Sequence, residues 1–384
     1  MQLDEILKKT RQLATEVLSV EAALVDKEAV WPEKSIRSLL DAGMGGMMAP
    51  KETGGHGHGL FALARVAETL GEACASTGLC FGMHCVGTAV IAAKATDWQK
   101  EKYLVPISQG AHLTTLAVSE PGTGSHFYYP QTQLLPLSDN EFCIKGKKSF
   151  ITNGEHADSY VISTVAVDPD ADPNLFSCIV VDKKTDGLVW GPKWQGMGMR
   201  GNSSRGLDIQ SARVPASQLL GEQGDQLWYI FNVVAPFFLT AMAGTYLGIA
   251  QAAFNEARDH LQRRNYAHSG AGLSQVHVLQ HKLGSLWAKI ERTRRLIYFA
   301  AQEGDADNFK ALPALLSAKA EVANCAVEAV NEAMTLSGGI AYRENSRFDV
   351  LLRDARAAHI MSPTTDLLYT WLGRALLDQP ILSD

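Results

Sequence analysis

The stretch "HLTTLAVSEPGTGSHF", residues 112–127, is where this chain changes character. Before it, apolar residues recur at helical spacing; from it onward they alternate or form short runs, the period of strands. A short strand runs into Ser119-Glu120-Pro121 and then into a glycine turn, Gly122-Thr123-Gly124-Ser125. Upstream, "MQLDEILKKTRQLATEVL" places Leu3, Ile6, Leu7, Leu13 and Val17 near one face of an amphipathic helix. Pro32 and Glu33 open a short helix that ends near Gly43. "GLFALARVAETLGEACASTGLCFGMHCVGTAVIAAKA" is apolar nearly all round, which predicts buried helices.

Downstream, "EFCIKGKKSFITNG", "DSYVISTVAV", "LFSCIVVDKK" and "RGLDIQSARVP" read as further strands punctuated by Gly, Asn, Asp and Pro. Strands in succession without helices between them predict an antiparallel sheet or barrel. Long helical patterns then return in "FFLTAMAGTYLGIAQAAFNEARDHLQRR", "VLQHKLGSLWAKIERTRRLIYFAAQ" and "ALPALLSAKAEVANCAVEAVNEAMTLSGG". Long helices with short connections make an antiparallel bundle. The expected class is α+β: an N-terminal α-helical domain (1–112), a middle antiparallel β-barrel or sheet domain (113–222) and a C-terminal four-helix bundle (223–384).

With 384 residues, 46% of them hydrophobic, the chain can bury a core shared by two or three units. The net charge of −6 is dispersed, which argues against nucleic acid as a partner. No apolar run reaches the roughly 20 residues of a membrane span, and the N-terminal helix lacks the features of a signal peptide. Cytoplasm is the expected compartment. Six scattered cysteines, none in a C-x-x-C pair, read as buried thiols, with no metal site.

Four segments carry candidate chemistry. In "LAVSEPGTGSHF", Gly122 and Gly124 let backbone approach a ligand, and successive N–H groups can form an anion nest; an ordinary turn between strands has the same look. In "KGKKSFITNG", Phe150 and Thr152 fall on one strand face and could wall a flat heteroaromatic ring, or simply end an edge strand. "GMGMRGNSSRGLDIQSARVP" places a turn before a strand that ends at Val214-Pro215. "SGG" (337–339) closes a helix ahead of "RFDVLLRDAR".

In this order and spacing the segments resemble the acyl-CoA dehydrogenase family of flavoproteins, whose TEPxAGSD, FITNG, GxRG…VP and GG…RDA patterns stand here as SEPGTGSH, KSFITNG, GMRGNSS…VP and GG…RDAR. The resemblance implies FAD held between the middle domain and the bundle. It puts the backbone of Val118 and Ser119 at the flavin's pyrimidine edge. Gly124 and Ser125 fall in the pyrophosphate loop, Phe150 against the ring and Thr152 near its N5. Arg264 is expected to reach the FAD phosphates of a neighbouring subunit, with Arg263 as the alternative register. His277 stands where the family has a glutamine, and Gly339 and Thr364 are expected to approach the FAD of the adjacent protomer. "NYAHSGAGLSQ" replaces an aromatic-glycine pair, and Thr335 and His126 are further departures.

Family dehydrogenases take the α-proton of an acyl thioester with a glutamate while hydride leaves for the flavin. By the family's register that glutamate position is Ser362, followed by Pro363; the position used by a second subgroup falls at or next to Phe238. Neither offers a carboxylate, and Phe237 and Phe238 replace the polar anchors of coenzyme A. His359 and His84 are the remaining candidates for a base, His84 also reading as a core histidine. The expected function is α,β-dehydrogenation of an acyl thioester, on coenzyme A or a carrier protein, with a non-standard base. The alternatives are a flavin monooxygenase of the same fold and a non-catalytic flavin- or acyl-binding homologue. Expected partners are a small hydrophobic substrate, an electron-transfer flavoprotein or flavin reductase, and further copies of the chain in a homodimer or homotetramer.

Overall fold

The computed structural model describes residues 1–167, 175–307, 311–344 and 346–382. Helices come first: α1 (Leu3–Leu13), α2 (Ser19–Glu28), α3 (Glu33–Asp41), α4 (Leu60–Ala73), α5 (Ala75–Ala93), and the short α6 (Asp97–Gln99) and α7 (Val105–Ser108). Eight strands follow among the described residues: β1 (Thr114–Ala117), β2 (Gln133–Ser138), β3 (Glu141–Ile151), β4 (Ser159–Ala166), β5 (Phe176–Asp182), β6 (Leu188–Trp190), β7 (Arg205–Pro215) and β8 (Leu219–Leu220). The chain then returns to helix with α8 (Gln226–Tyr229), α9 (Ala235–Arg263), α10 (His277–Asp305), α11 (Ala311–Ser337), α12 (Arg347–Ile360) and α13 (Thr365–Leu376).

The stretch that is apolar nearly all round becomes α4 and α5; α5 is buried over nearly its whole length, as expected, and α4 over most of it. By length and composition α5 and the helical stretch Gln226–Arg263 could cross a membrane, but 94% and 83% of their apolar windows lie inside the protein. They are core helices here. α4 and α9 cross at backbone contact: a Cβ on Gly71 would stand 2.2 Å from the Thr245 carbonyl, and one on Gly248 2.2 Å from that of Glu68. Only glycine permits that approach. Glu68 of α4 then binds Arg294 of α10 at 2.8 Å, tying the N-terminal helices to the bundle.

The sheet runs β6-β7-β3-β2-β4-β5-β8, with β1 also on β4. It is mixed where an antiparallel sheet was expected. β1 is parallel to β4 (Thr114↔Ser159 to Ala117↔Ile162), and so is β2 (Gln133↔Val165, Leu134↔Ala166). Since β5 covers one edge of β4 from Ser159 to Val165, β1 and β2 must lie end to end along the other edge. The chain leaves that edge after Ala117 and rejoins it at Gln133, which throws residues 118–132 out from the middle of the sheet.

Candidate active site

That excursion is one wall of a cavity of about 710 Å³ enclosed by the sheet, α5, α9, α12 and the turn after α12. Gly122 (φ +88°) and Gly124 (φ +55°) sit in left-handed conformations, and a Cβ at either would meet nothing within 4 Å. The loop is pinned at its root. The Glu120 carboxylate accepts the backbone N–H groups of Gln131 (2.7 Å) and Thr132 (3.1 Å) at the loop's far end. It also pairs with the fully buried Lys148 ammonium at 2.6 Å. Lys148 donates further to the Ser163 carbonyl (2.6 Å) and hydroxyl (3.0 Å), filling the gap on β4 between the ends of β1 and β2. Burial lowers the Lys148 pKa, with Glu120 opposing the shift.

The second wall is the end of β3. Phe150 lines the cavity at φ +54° and is 66% exposed, and Trp194 meets it edge-on with centroids 6.2 Å apart. Asn153, at φ +60°, holds this corner to the N-terminal helices. Its Nδ2 donates to the Cys80 carbonyl (2.9 Å) and its Oδ1 accepts Trp31 Nε1–H (2.8 Å).

The third wall is the 196–204 segment. Gly198 lies so close to α12 that a Cβ would stand 2.3 Å from the Arg353 carbonyl. Met199 N–H donates to buried Asp354 at 2.6 Å. Burial pushes the Asp354 carboxyl up to about 6, against the pull of that N–H. Asp354 thus docks the segment without lining the cavity, whereas Arg353, Arg356, Ala357 and Ile360 line it from one helix face. Arg353 is held by both oxygens of Asp26 (2.8 and 2.6 Å) and by Asp349 (3.2 Å).

The cavity brings together Val118, Ser119, Gly124, Phe150, Thr152, Ser362 and Phe238, with apolar Leu79, Met83, Val234 and Ala235 opposite. Among the described residues its one acidic lining residue is Glu120, already committed to three donors. Ser125 is half-buried beside Gly124 and does not line the cavity. Thr364 follows the lining residue Pro363 and caps α13, its hydroxyl accepting Leu367 N–H at 3.4 Å.

Both histidines lie off the cavity lining. His84 is fully buried; Nε2 meets the Gly45 carbonyl (3.0 Å) and Nδ1 accepts Thr114 N–H (3.2 Å). Burial lowers its pKa to about 4, so it is a neutral core histidine. His359 Nδ1 meets Thr365 Oγ1 at 3.2 Å, and burial together with Arg356 and Lys319 lowers its pKa. Arg264, His277 and Gly339 are exposed, at the end of α9, the start of α10 and just after α11. Arg263 is exposed too, 3.5 Å from Asp259. "NYAHSGAG" (265–272) is a small loop closed by a bridge between Asn265 and Gly272.

The sequence reading missed the Glu120–Lys148 pair. A signal existed: Lys148 is in phase with Phe142 and Ile144, two of the buried residues of β3.

Three models of the acyl-CoA dehydrogenase family match the chain, for the N-terminal domain at residues 2–111, the middle domain at 115–212 and the C-terminal domain at 240–377. A cyclohex-1-ene-1-carbonyl-CoA dehydrogenase of Geobacter metallireducens is 30% identical over 374 residues, 97% of each chain. A short-chain-specific acyl-CoA dehydrogenase of Clostridium acetobutylicum is 28% identical over 366 residues, 94% of each. The solved butyryl-CoA dehydrogenase of Megasphaera elsdenii superposes with a TM-score of 0.91 at 26% identity, covering 98% of both chains. Matched in all three domains and along almost its full length, this chain belongs to the acyl-CoA dehydrogenase family.

Proposed function

We propose that this chain is an FAD-dependent oxidoreductase that desaturates an acyl thioester, on coenzyme A or a carrier protein, without a protein carboxylate to receive the α-proton. The observation that supports it is the meeting in one cavity of Ser119, Gly124, Phe150 and Thr152 with apolar Leu79, Met83 and Phe238 and with Ser362.

The residues fit a flavin. Phe150 offers an uncovered aromatic face, Gly122 and Gly124 leave room where side chains would stand, and hydroxyls of Ser119 and Thr152 line the same space. A flavin bound there would supply the acceptor for the substrate's β-hydrogen, as hydride. The backbone of Val118 and Ser119 would orient the ring, with Thr152 near N5 and Ser125 toward the pyrophosphate. Arg264, His277, Gly339 and Thr364 would serve the cofactor of an adjoining protomer in a homodimer or homotetramer. Exposed Val278, Trp287, Ile340 and Tyr342 on the same helical region support such an assembly. The relatives named for coenzyme A thioesters support the substrate class.

Ser362 is a poor proton acceptor at neutral pH, and among the described residues no base is hydrogen-bonded to its hydroxyl. The α-proton therefore leaves to water or to a basic group of the substrate, at a rate lowered by roughly 10²–10⁴ relative to a positioned carboxylate. The test is anaerobic mixing of the FAD-loaded protein with acyl thioesters of several lengths on both carriers. Bleaching of the flavin absorbance supports the reading; no bleaching with any of them overturns it.

The commitment of Glu120 to other partners favours a second reading, a flavin monooxygenase reduced by a partner reductase, since oxygen activation needs no carboxylate base. Mixing reduced protein with oxygen separates the two: a transient absorbance unlike that of oxidised or reduced flavin marks the second. A yellow protein with neither response is a flavin- or acyl-binding homologue without turnover. In the first reading an electron-transfer flavoprotein takes the electrons, and the cytoplasm is the compartment we assign.

A further inference from the structure

Lys319 lies in the middle of α11 with 0% of its side chain exposed. Among the described residues no carboxylate makes an ion pair with it. Its ammonium instead donates to three carbonyls of one short segment: Ala358 (2.7 Å), Pro363 (3.1 Å) and Met361 (3.4 Å). Ala358 belongs to the last turn of α12, where carbonyls lack helical partners and the helix dipole favours a cation. Met361 and Pro363 flank Ser362, and all three residues line the cavity. The ammonium grips the peptide on either side of the one residue that stands where the family's proton acceptor is expected.

Such an arrangement is costly as core packing. Burial pulls this ammonium's pKa down to about 7, and an apolar residue could fill the same volume without a buried charge. What the charge supplies is three directed hydrogen bonds to the backbone of a turn whose other anchors are the Thr364 cap of α13, Met361 N–H on the Ala357 carbonyl, Tyr246 Oη–H on Met361 Sδ (3.2 Å) and the His359–Thr365 contact (3.2 Å).

We infer that Lys319 is a positioning residue of the active site, fixing where residue 362 stands in the cavity from the far side of α12. Its kinetic consequence rests on the thioester reading above; its structural consequence does not.

The test uses FAD-loaded protein carrying Ser362→Cys, with Lys319 intact or changed to Met or Gln. Alkylation by iodoacetamide is followed by mass spectrometry at the introduced thiol and at Cys143, the half-buried cysteine of β3 that serves as an internal reference. Releasing the turn is expected to change the rate at the introduced thiol about tenfold in Lys319→Met, and less in Lys319→Gln, which keeps a donor, while Cys143 is unaffected. An unchanged ratio of the two rates in both variants overturns the assignment. So does a parallel rise at both cysteines in both variants, which would make Lys319 a general core residue. In protein that retains Ser362 and bleaches with a thioester, Lys319→Met is expected to lower the maximal rate about tenfold by displacing the cavity wall formed by Met361, Ser362 and Pro363, with no proton transfer to Ser362 involved. Absence of bleaching in the parent defeats the thioester reading alone, and the alkylation result still decides this one.

Discussion

Replacing Glu120 with Gln tests the reasoning about the cavity's root. The substitution keeps the size of the side chain and removes its charge and one acceptor. The carboxylate serves three donors: Gln131 N–H at one oxygen, Thr132 N–H and the Lys148 ammonium at the other. An amide oxygen in the second place can keep two of these. Its NH₂ group must then face the Gln131 N–H, donor against donor. One buried N–H without an acceptor costs about 1–3 kcal/mol. Lys148, fully buried, also loses its counter-charge, and breaking such a pair from one side costs about 3–5 kcal/mol in all. Urea unfolding of Glu120→Gln should show a loss in that range. Flavin affinity, titrated by fluorescence quenching, should fall with it, because the loop anchored by Glu120 carries Gly122 and Gly124. Adding Lys148→Met removes the stranded ammonium and should recover about 2 kcal/mol, a coupling read from the double-mutant cycle. A loss under about 1 kcal/mol, or strict additivity in the cycle, would mean that the Glu120–Lys148 pair does not hold the loop.

Three other perturbations address the site. Ser362→Glu restores a carboxylate to the cavity wall and should speed anaerobic bleaching by a thioester roughly 10²–10⁴-fold; a variant no faster than the parent speaks against the proposed reaction. Phe150→Ala removes an exposed aromatic face and should weaken flavin binding by about 0.5–1.5 kcal/mol, roughly three- to tenfold in Kd; an unchanged titration places the ring elsewhere. Asp354 has a carboxyl raised from 3.8 to about 6, so the folded state holds its proton more tightly than the unfolded state and the group favours folding below pH 4 by on the order of 3 kcal/mol relative to neutral pH. That advantage is lost as pH rises through 6. Asp354→Asn should therefore flatten the stability profile between pH 4 and 7, and parallel profiles for the two proteins would count against a shifted carboxyl.

The elements that were legible in the sequence are those with a strong local period. "RGLDIQSARVP" is β7 residue for residue, and the apolar "STGLCFGMHCVGTAV" lies within α5. β2 escaped notice because Pro136 interrupts "QLLPLS" and the pairing slips between Pro136 and Ser138, which breaks the alternation. β6 and β8 are three and two residues long, too short to carry a period. At the site, glycine, aromatic and hydroxyl positions of three of the four segments line one cavity, and Arg353 and Arg356 of the fourth join them, while Gly338 and Gly339 lie outside. The buried charges Lys148, Glu120, Lys319 and Asp354 were not read as such, because a charged residue in a sequence defaults to the surface. Their burial depends on partners 28, 39 and 155 positions away, which no local pattern encodes.

The seam between β1 and β2 on the edge of β4 has a further consequence. Each strand is registered against β4 on its own, so neither needs the other to find its place. The tip of the segment strung between them, residues 121–126, behaves as a cassette: none of its residues is buried, so its composition can change without disturbing the sheet, whereas Phe127, Tyr128 and Thr132 at its return are core residues. Ligand preference can drift in such a cassette while the scaffold stays as it is, provided that the clasp formed by Glu120 and Lys148 is kept at its mouth.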